Sequence, residues 1–169
     1  MIENGFELAA EAARDLIKSV YDSTDAFAAD FEQEYPSLTA LSARLDEIRT
    51  RPGSLFLVAR DGDELLGYLF IVPRLASKLR HTADLNMGVR QVTRGRGVGS
   101  TLVSAALSQL RNKGIIEIVY LMVRADNRPA IRLYEAQGWE ELARLTRDTK
   151  IGAHYYDGIL MRLWISSAV

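Results

Sequence analysis

The 169-residue chain contains no cysteine and only two histidines, His81 and His154. The lack of cysteine excludes disulfide bonds, thiolate metal sites and a cysteine nucleophile. With so few histidines a histidine-rich metal site is not expected either, and we predict no metal centre.

The charge is also nearly balanced, with 21 basic and 22 acidic residues and a formal net charge of −1. A nucleic-acid-binding domain usually carries a basic excess, so we expect no nucleic-acid partner. No apolar run is long enough to span a membrane, and the first residues lack the basic-then-apolar layout of a secretion signal. A cytoplasmic protein without a membrane partner is therefore expected. Its length and 48% hydrophobic content predict one domain over residues 1–169.

Hydrophobic periodicity predicts an α/β domain with a mixed sheet. Helices are predicted at residues 9–21 and 38–50, from the glycine-rich turn to about residue 113, and at residues 130–137. Strands are predicted at residues 6–8, 54–60, 65–72, 82–89, 115–123, 139–145 and 155–165. The apolar strand at 115–123 is expected to be buried on both faces. Residues 22–36 mix acidic and aromatic side chains and form the least regular stretch.

The most informative stretch runs from Met87 to Ser100, where an apolar strand ends and a basic turn opens the next helix. The turn contains Arg94, Gly95, Arg96, Gly97, Val98 and Gly99. The first amides of a helix have no intrahelical partner and lie at the positive end of its dipole, so they can bind a phosphate. Glycine lets the backbone approach the anion, and the two arginines add charge-assisted donors. The stretch therefore predicts an anion-binding turn.

Two other glycine motifs can be compared with this turn. The phosphate loop of nucleotide hydrolases places lysine and then serine or threonine after its last glycine, whereas Gly99 is followed by Ser100 and Thr101. The dinucleotide fingerprint requires Gly-x-Gly-x-x-Gly and an acidic residue about 20 positions later. The glycine spacing here is different, but Glu117 lies at about the right distance. A dinucleotide site is therefore disfavoured and remains weakly open.

A family signature fits the turn better. Arg94-x-x-Gly97-x-Gly99 resembles the Arg/Gln-x-x-Gly-x-Gly/Ala signature of the GNAT superfamily of acyl-CoA N-acyltransferases. Asn127-x-x-Ala130-x-x-Leu133-Tyr134-x-x-x-Gly138-Trp139 resembles its second signature, with tryptophan in place of phenylalanine, and begins 28 residues after Gly99. Tyr155-x-Asp157-x-x-x-Met161 is similar to the ending of one subgroup. The resemblance covers roughly residues 81–164, and the first 80 residues fit only in the order of their elements.

The resemblance implies a GNAT-like fold, with a central, mostly antiparallel sheet flanked by helices, and transfer of an acetyl group from acetyl-CoA to a primary amine. The amides from Gly95 to Ser100 would bind the pyrophosphate of the cofactor. Met87, Gly88 and Val89, splayed from the next strand, would hold its pantetheine arm and polarise the thioester. Tyr134 is the candidate acid for the departing thiolate, and Asn127 would anchor the cofactor or its turn. The alternative is an acyl-CoA-binding sensor or assembly subunit without activity.

Without cysteine there can be no acetyl-cysteine intermediate, so direct attack in a ternary complex is expected. The amine must first lose a proton, and Asp84 is the candidate base because strand alternation puts it on the face of Asn86 and Gly88. Negative charge in residues 25–35 would attract a cationic acceptor. Residues 155–157 would line the acceptor pocket. The aromatic C-terminal end could also pair with a second chain to form a homodimer.

Overall fold

The computed structural model describes residues 1–165, in which seven strands form one sheet. The strands are β1 (Ile2–Asn4), β2 (Leu55–Asp61), β3 (Glu64–Pro73), β4 (Thr82–Val89), β5 (Ile118–Arg124), β6 (Glu140–Ile151) and β7 (His154–Trp164). The helices are α1 (Ala10–Tyr21), α2 (Phe31–Glu34), α3 (Leu38–Arg49), α4 (Val98–Lys113) and α5 (Arg128–Ala136). The predicted fold class, a mixed and mostly antiparallel sheet flanked by helices, is confirmed. None of the helices in residues 1–165 is long and apolar enough to cross a membrane.

The strand order across the sheet is β1-β2-β3-β4-β5-β7-β6. Every neighbouring pair is antiparallel except β4 and β5, which are parallel. β4 pairs with β3 as far as Val89, and β5 pairs with β7 as far as Arg124. The pairing of β4 with β5, however, ends at Asp84 and Tyr120. The sheet is therefore open between the second halves of its two central strands.

The two faces of the sheet have separate hydrophobic cores. On one face, α4 and α5 pack on strands from both halves of the sheet, including Ile71 of β3 and Ile159 of β7. On the other face, α1, α2 and α3 cover only the first half of the sheet, where Phe56 and Tyr68 are buried. No residue of β5, β6 or β7 belongs to this second core within the described chain. The second half of that face is left uncovered by helices.

Local signals explain why the predicted helices begin and end where they do. The Ser37 side chain caps α3 by accepting a hydrogen bond from the Ala40 amide at 3.0 Å. Gly114 ends α4 in the left-handed conformation that favours glycine. The strand predicted at residues 82–89 is found with these same bounds.

Three local predictions were wrong. The first strand is β1, and Phe6 lies instead in a 3₁₀ turn because the Asn4 side chain accepts its amide hydrogen at 3.2 Å. The predicted loop after residue 145 is mostly strand, since β6 continues to Ile151. β5 is not buried on both faces, because α1–α3 do not reach it and Met122 is 47% exposed.

The irregular acidic stretch contains the short helix α2, which Asp30 and Gln33 stabilise as a capping box. At the C-terminal end, Tyr155 and Trp164 of β7 are exposed. The homodimer expected from these aromatic residues stays a prediction.

Candidate functional site

The opening between β4 and β5 forms the floor of a cleft of about 970 Å³. β4 contributes Asp84 and all residues from Leu85 to Val89, and β5 contributes residues 120–124. The segment after α1, the strands β3, β6 and β7, and the helix α5 contribute further lining residues. Because β4 has no strand partner on this side beyond Asp84, its alternate backbone N–H and C=O groups face the cleft. A separate cavity of about 460 Å³, near Arg51, Ser54 and Lys113, contains none of the predicted site residues.

The glycine-rich turn lies between β4 and α4, and its glycines serve two different purposes. Gly95 and Gly97 have φ values of +76° and +80°, a conformation that strains residues with a side chain. No atom lies within 4 Å of the position a Cβ would take at either residue, so the turn is open on that side. Gly99 is buried instead, and a Cβ there would lie 2.7 Å from Leu133 of α5. The first two glycines shape the turn, and the third lets α4 pack on α5.

The turn presents a set of amides without partners. The amides of Gly95, Gly97, Val98, Gly99 and Ser100 donate no hydrogen bond to any residue in the described part of the chain. Five such donors at the start of a 16-residue helix also lie at the positive end of its dipole. The geometry is therefore suited to an anion with several oxygen atoms, such as a phosphate.

Arg94 is oriented towards the protein more than towards the turn. Its Nε donates to the Val89 carbonyl at 3.1 Å, and its Nη2 donates to Ser23 Oγ at 2.6 Å. The side chain thereby ties the end of β4 to the segment after α1. Arg96 is exposed on the turn itself. Both guanidinium groups add positive charge near the free amides, although Arg94 makes its hydrogen bonds within the chain.

Tyr134 of α5 reaches the same cleft from the opposite face of the sheet. The residue is 7% exposed, and its ring lies 5.6 Å from that of Trp139. Burial raises the pKa of the Tyr134 phenol above its ordinary value, and no charged neighbour contributes to the shift. The phenol therefore keeps its proton and stays neutral across the physiological pH range.

Asn127 supports α5. Its side-chain oxygen accepts a hydrogen bond from the Ala130 amide at 3.3 Å, which caps the helix that carries Tyr134. Of the two roles predicted for Asn127, anchoring the turn is the one that these contacts describe.

Asp84 lies in the cleft wall at the point where β4 and β5 separate. Both of its carboxylate oxygens are engaged by Arg74, at 2.7 and 3.0 Å. The hydrogen bonds that Arg74 donates to Asp84 raise the pKa of the Arg74 guanidinium, which also lies over the Tyr120 ring. This bidentate pair holds the Asp84 carboxylate against Arg74 and occupies both of its oxygens.

Three of the four acidic residues expected to attract a cation form ion pairs with arginines. Asp25 contacts Arg124 at 3.0 Å, and Glu34 contacts Arg44 at 3.1 Å. Arg124 is only 11% exposed, also pairs with Asp126, and packs on the Tyr156 ring at 4.1 Å. These pairs fix the segment after α1 against β5, and they neutralise the charge that the sequence places there.

Several residues that line the cleft could not be predicted as site residues from the sequence, among them Arg74, Arg124 and Asp148. Each is a charged residue outside any motif, and its place depends on distant parts of the chain. The predicted acceptor-pocket residues 155–157 do not line the cleft. In residues 1–165 no group of three or more histidine, aspartate or glutamate side chains could hold a metal ion.

The half-open sheet and the amide-rich turn at a helix N-terminus together define a class of α/β proteins with an anion site at one end of a central cleft. The chain belongs to the acetyltransferase (GNAT) family, whose model matches residues 17–139. This match confirms the resemblance that the two sequence signatures indicated.

Curated relatives of the chain include acetyltransferases that act on different acceptors by name. The mycothiol acetyltransferase of Sanguibacter keddieii is 36% identical over 119 residues, which cover 68% of this chain and 36% of that protein. The chain thus spans about a third of that relative. The L-amino acid N-acetyltransferase AaaT of Escherichia coli is 27% identical over 124 residues, covering 73% of this chain and 75% of the other.

Among solved structures, a GNAT superfamily phosphinothricin acetyltransferase from Sinorhizobium meliloti, in complex with acetyl-CoA, has the same fold with a TM-score of 0.82. It is 19% identical, and the superposition covers 97% of this chain and 87% of that one.

The raised pKa of Tyr134 predicts how stability depends on pH. An unfolded tyrosine ionises near pH 10, while the buried phenol keeps its proton to higher pH. The unfolded state is therefore increasingly favoured above about pH 10, and Tyr134→Phe removes this effect. Between about pH 8 and pH 11, we expect the variant to lose about 1 kcal/mol less free energy of unfolding than the unaltered protein. Urea denaturation at both pH values measures this, and identical losses would contradict the buried neutral phenol.

Proposed function

We propose that the protein is an N-acetyltransferase that transfers the acetyl group of acetyl-CoA directly to a primary amine in a ternary complex. The main support for this proposal is that three features lie in one cleft. They are the partnerless amides of the glycine-rich turn, the unpaired edge of β4 and the neutral Tyr134 phenol. Each corresponds to one requirement of acyl transfer from a coenzyme A thioester.

The turn would bind the pyrophosphate of the cofactor. The amides of Gly95 and of Gly97 to Ser100 have no competing acceptor within the described residues, so a bound phosphate replaces only water. The open space beside Gly95 and Gly97 admits the phosphate oxygens to the backbone. Arg94 and Arg96 add favourable charge at the same end of α4.

The second half of β4 would hold the pantetheine arm. Met87, Gly88 and Val89 lie on the side of β4 from which β5 has separated. An extended amide-containing arm can add to such an edge in the way that a peptide adds to a sheet. A β4 amide would then donate to the thioester oxygen and stabilise the charge that develops on it. The Val89 carbonyl already accepts from Arg94, so it is less available than its neighbours.

The reaction then proceeds by direct displacement. The neutral amine nitrogen attacks the thioester carbonyl carbon, a C–N bond forms and the C–S bond breaks. Tyr134 gives its phenolic proton to the departing sulfur, so that coenzyme A leaves as a thiol. The acceptor ammonium loses one proton to a base or to solvent before the attack. After the attack the nitrogen is positively charged and loses a second proton, which restores the Tyr134 phenol directly or through solvent. No covalent acetyl-enzyme on cysteine can form, because the chain contains no cysteine.

Asp84 remains the residue that we propose as the base. It lies where β4 and β5 separate, and half of its side chain is exposed to the cleft. Both of its oxygens accept hydrogen bonds from Arg74, so transfer of the amine proton to Asp84 through water is the form of the proposal that fits this contact.

A thiol-release assay with acetyl-CoA and a panel of amines tests the proposed function. The panel contains amino acids, amino acid amides, polyamines, aminoglycosides and short peptides. Release of thiol that depends on one class of amine is the expected result. Tight binding of acetyl-CoA without release on any amine would contradict catalysis and favour a sensor or assembly subunit.

Gly97→Glu tests the pyrophosphate site. The substitution places bulk and negative charge at the turn, so we expect acetyl-CoA affinity, measured by calorimetry, to fall by about 100-fold or more. Gly62→Glu is the matched control, because Gly62 also has a positive φ, of +54°, but lies in the β2–β3 turn. Backbone strain is introduced by both changes. If the two variants bound acetyl-CoA with equal affinity, the assignment of the pyrophosphate site to the turn would be wrong.

Tyr134→Phe tests the acid. Without the phenol the thiolate must leave unprotonated, so we expect kcat to fall by about 100-fold, while the dissociation constant of acetyl-CoA changes little. Stopped-flow thiol release and calorimetry give the two quantities separately. An unchanged kcat would contradict the role of Tyr134 as acid and would indicate that it serves only to pack against Trp139.

A further inference from the structure

Three carboxylates line the cleft, and two of them have arginine partners. Asp84 pairs with Arg74, and Asp126 pairs with Arg124. The third, Asp148 of β6, makes no ion pair with any residue in the range 1–165. Its recorded hydrogen bond is a long one, 3.4 Å, from Thr149 Oγ1. The cleft therefore contains one carboxylate whose charge is not neutralised by the protein.

An irregularity in β6 brings Asp148 to this position. Leu145 is opposite Gly158 of β7 and Thr149 is opposite Tyr156, so residues 146–148 lie opposite Asp157 alone. Arg147, within this bulge, has a φ of +56° and is the described non-glycine residue with a positive value. Its amide donates to Asp157 Oδ1 at 3.0 Å, which holds the bulge closed. The strained backbone is thus fixed by a side chain of the neighbouring strand.

Gly158 provides the space in which the Asp148 carboxylate lies. A Cβ at residue 158 would be 2.6 Å from Asp148 Oδ2 and 3.0 Å from the sulfur of Met122. The Asp148 carboxylate therefore contacts the backbone of β7 at Gly158 and lies beside the exposed Met122 side chain of β5. This is the half of the sheet face that α1–α3 leave uncovered.

Outside the turn, the arginines that line the cleft are all in ion pairs, whereas Arg147 and Lys150 of β6 lie over the Tyr155 ring and do not line it. Arg44 contacts Glu34, Arg74 contacts Asp84, and Arg124 contacts Asp25 and Asp126. Arg94 belongs to the cofactor turn and is bonded to Val89 and Ser23. An incoming ligand thus meets an unpaired anion but no unpaired guanidinium on the walls opposite the turn.

We propose that Asp148 binds the ammonium group of the acceptor, and that the acceptor is an amine without a carboxylate beside its amino group. The proposal rests on the proposed function and assigns the acceptor side of the same cleft. A carboxylate close to the ammonium would be repelled by Asp148 and would have to displace an existing ion pair to find a cation. Amino acid amides, peptide N-termini and simple amines have no such carboxylate. They are therefore not repelled by Asp148 and need not displace an ion pair.

Matched pairs of acceptors test this inference. Thiol release is measured with glycine, alanine, leucine and phenylalanine and with the corresponding amides, using the unaltered protein, Asp148→Asn and Asp63→Asn. Asp63→Asn is the control because it removes the same charge from the exposed β2–β3 turn. Since the amino group of an amide is less basic than that of the acid, the decisive quantity is the change in the amide-to-acid ratio between variants.

We expect the unaltered protein and Asp63→Asn to prefer the amides. Asp148→Asn should lower kcat/KM for the amides about tenfold or more, mainly by raising KM, and should reduce the amide-to-acid ratio about as much. Acetyl-CoA affinity and melting temperature should stay unchanged. Preference for the acids, or an Asp148→Asn variant with unchanged KM and ratio, would overturn the role of Asp148 while leaving the acetyltransferase intact. Absence of turnover with every amine would contradict the proposed function itself.

A second variant tests the placement of the carboxylate independently. In Gly158→Ala the new methyl group takes the place of the Asp148 oxygen, so kcat/KM for the amides should fall as it does in Asp148→Asn. In an Asp148→Ala background the same glycine substitution should have a smaller effect, because only the contact with the Met122 sulfur remains. Equal losses in both backgrounds would show that Gly158 acts on packing alone and would overturn the proposed placement.

Discussion

The structure depends on the point at which β4 and β5 stop pairing. Up to Asp84 and Tyr120 the two parallel strands share a ladder, and beyond it each is held only by its outer neighbour. Backbone groups that lose a strand partner must find water or a ligand, because an unpaired buried amide or carbonyl is costly. The separation therefore creates both a cavity and a set of hydrogen-bonding groups that line it. The other parts of the site are arranged around this opening.

The opening between β4 and β5 has different surroundings on the two faces of the sheet. On the α4 and α5 face, a continuous core supports the opening and brings the glycine-rich turn and Tyr134 to it. On the other face, the helices cover only the first half of the sheet and leave β5 and β7 accessible. A cofactor can thus be held from one side while an acceptor enters from the other. This division fits a ternary complex, in which both reactants are present when the bond forms.

Charge in the cleft is organised by ion pairs that join distant segments. The pair between Asp25 and Arg124 connects the segment after α1 to β5, and the pair between Arg74 and Asp84 connects β3 to β4. Such partly exposed pairs contribute little stability, but they decide which charges a ligand experiences. The acidic stretch at residues 25–35 illustrates this, since its prediction as a cation attractor did not take its arginine partners into account. Asp148, inside a stretch predicted as a loop, keeps its charge unpaired among the described residues.

The sequence by itself determined the features that depend on a few neighbouring residues. The helix that begins at Leu38, the strand at residues 82–89 and the glycine-rich turn could all be predicted, because each follows from local backbone preferences or from a short motif. Only the tertiary structure decided where β4 and β5 separate, which face stays open and which carboxylate lacks a partner. These outcomes depend on contacts between residues as far apart as Asp25 and Arg124. No local preference encodes such contacts, because packing of the whole sheet brings these residues together.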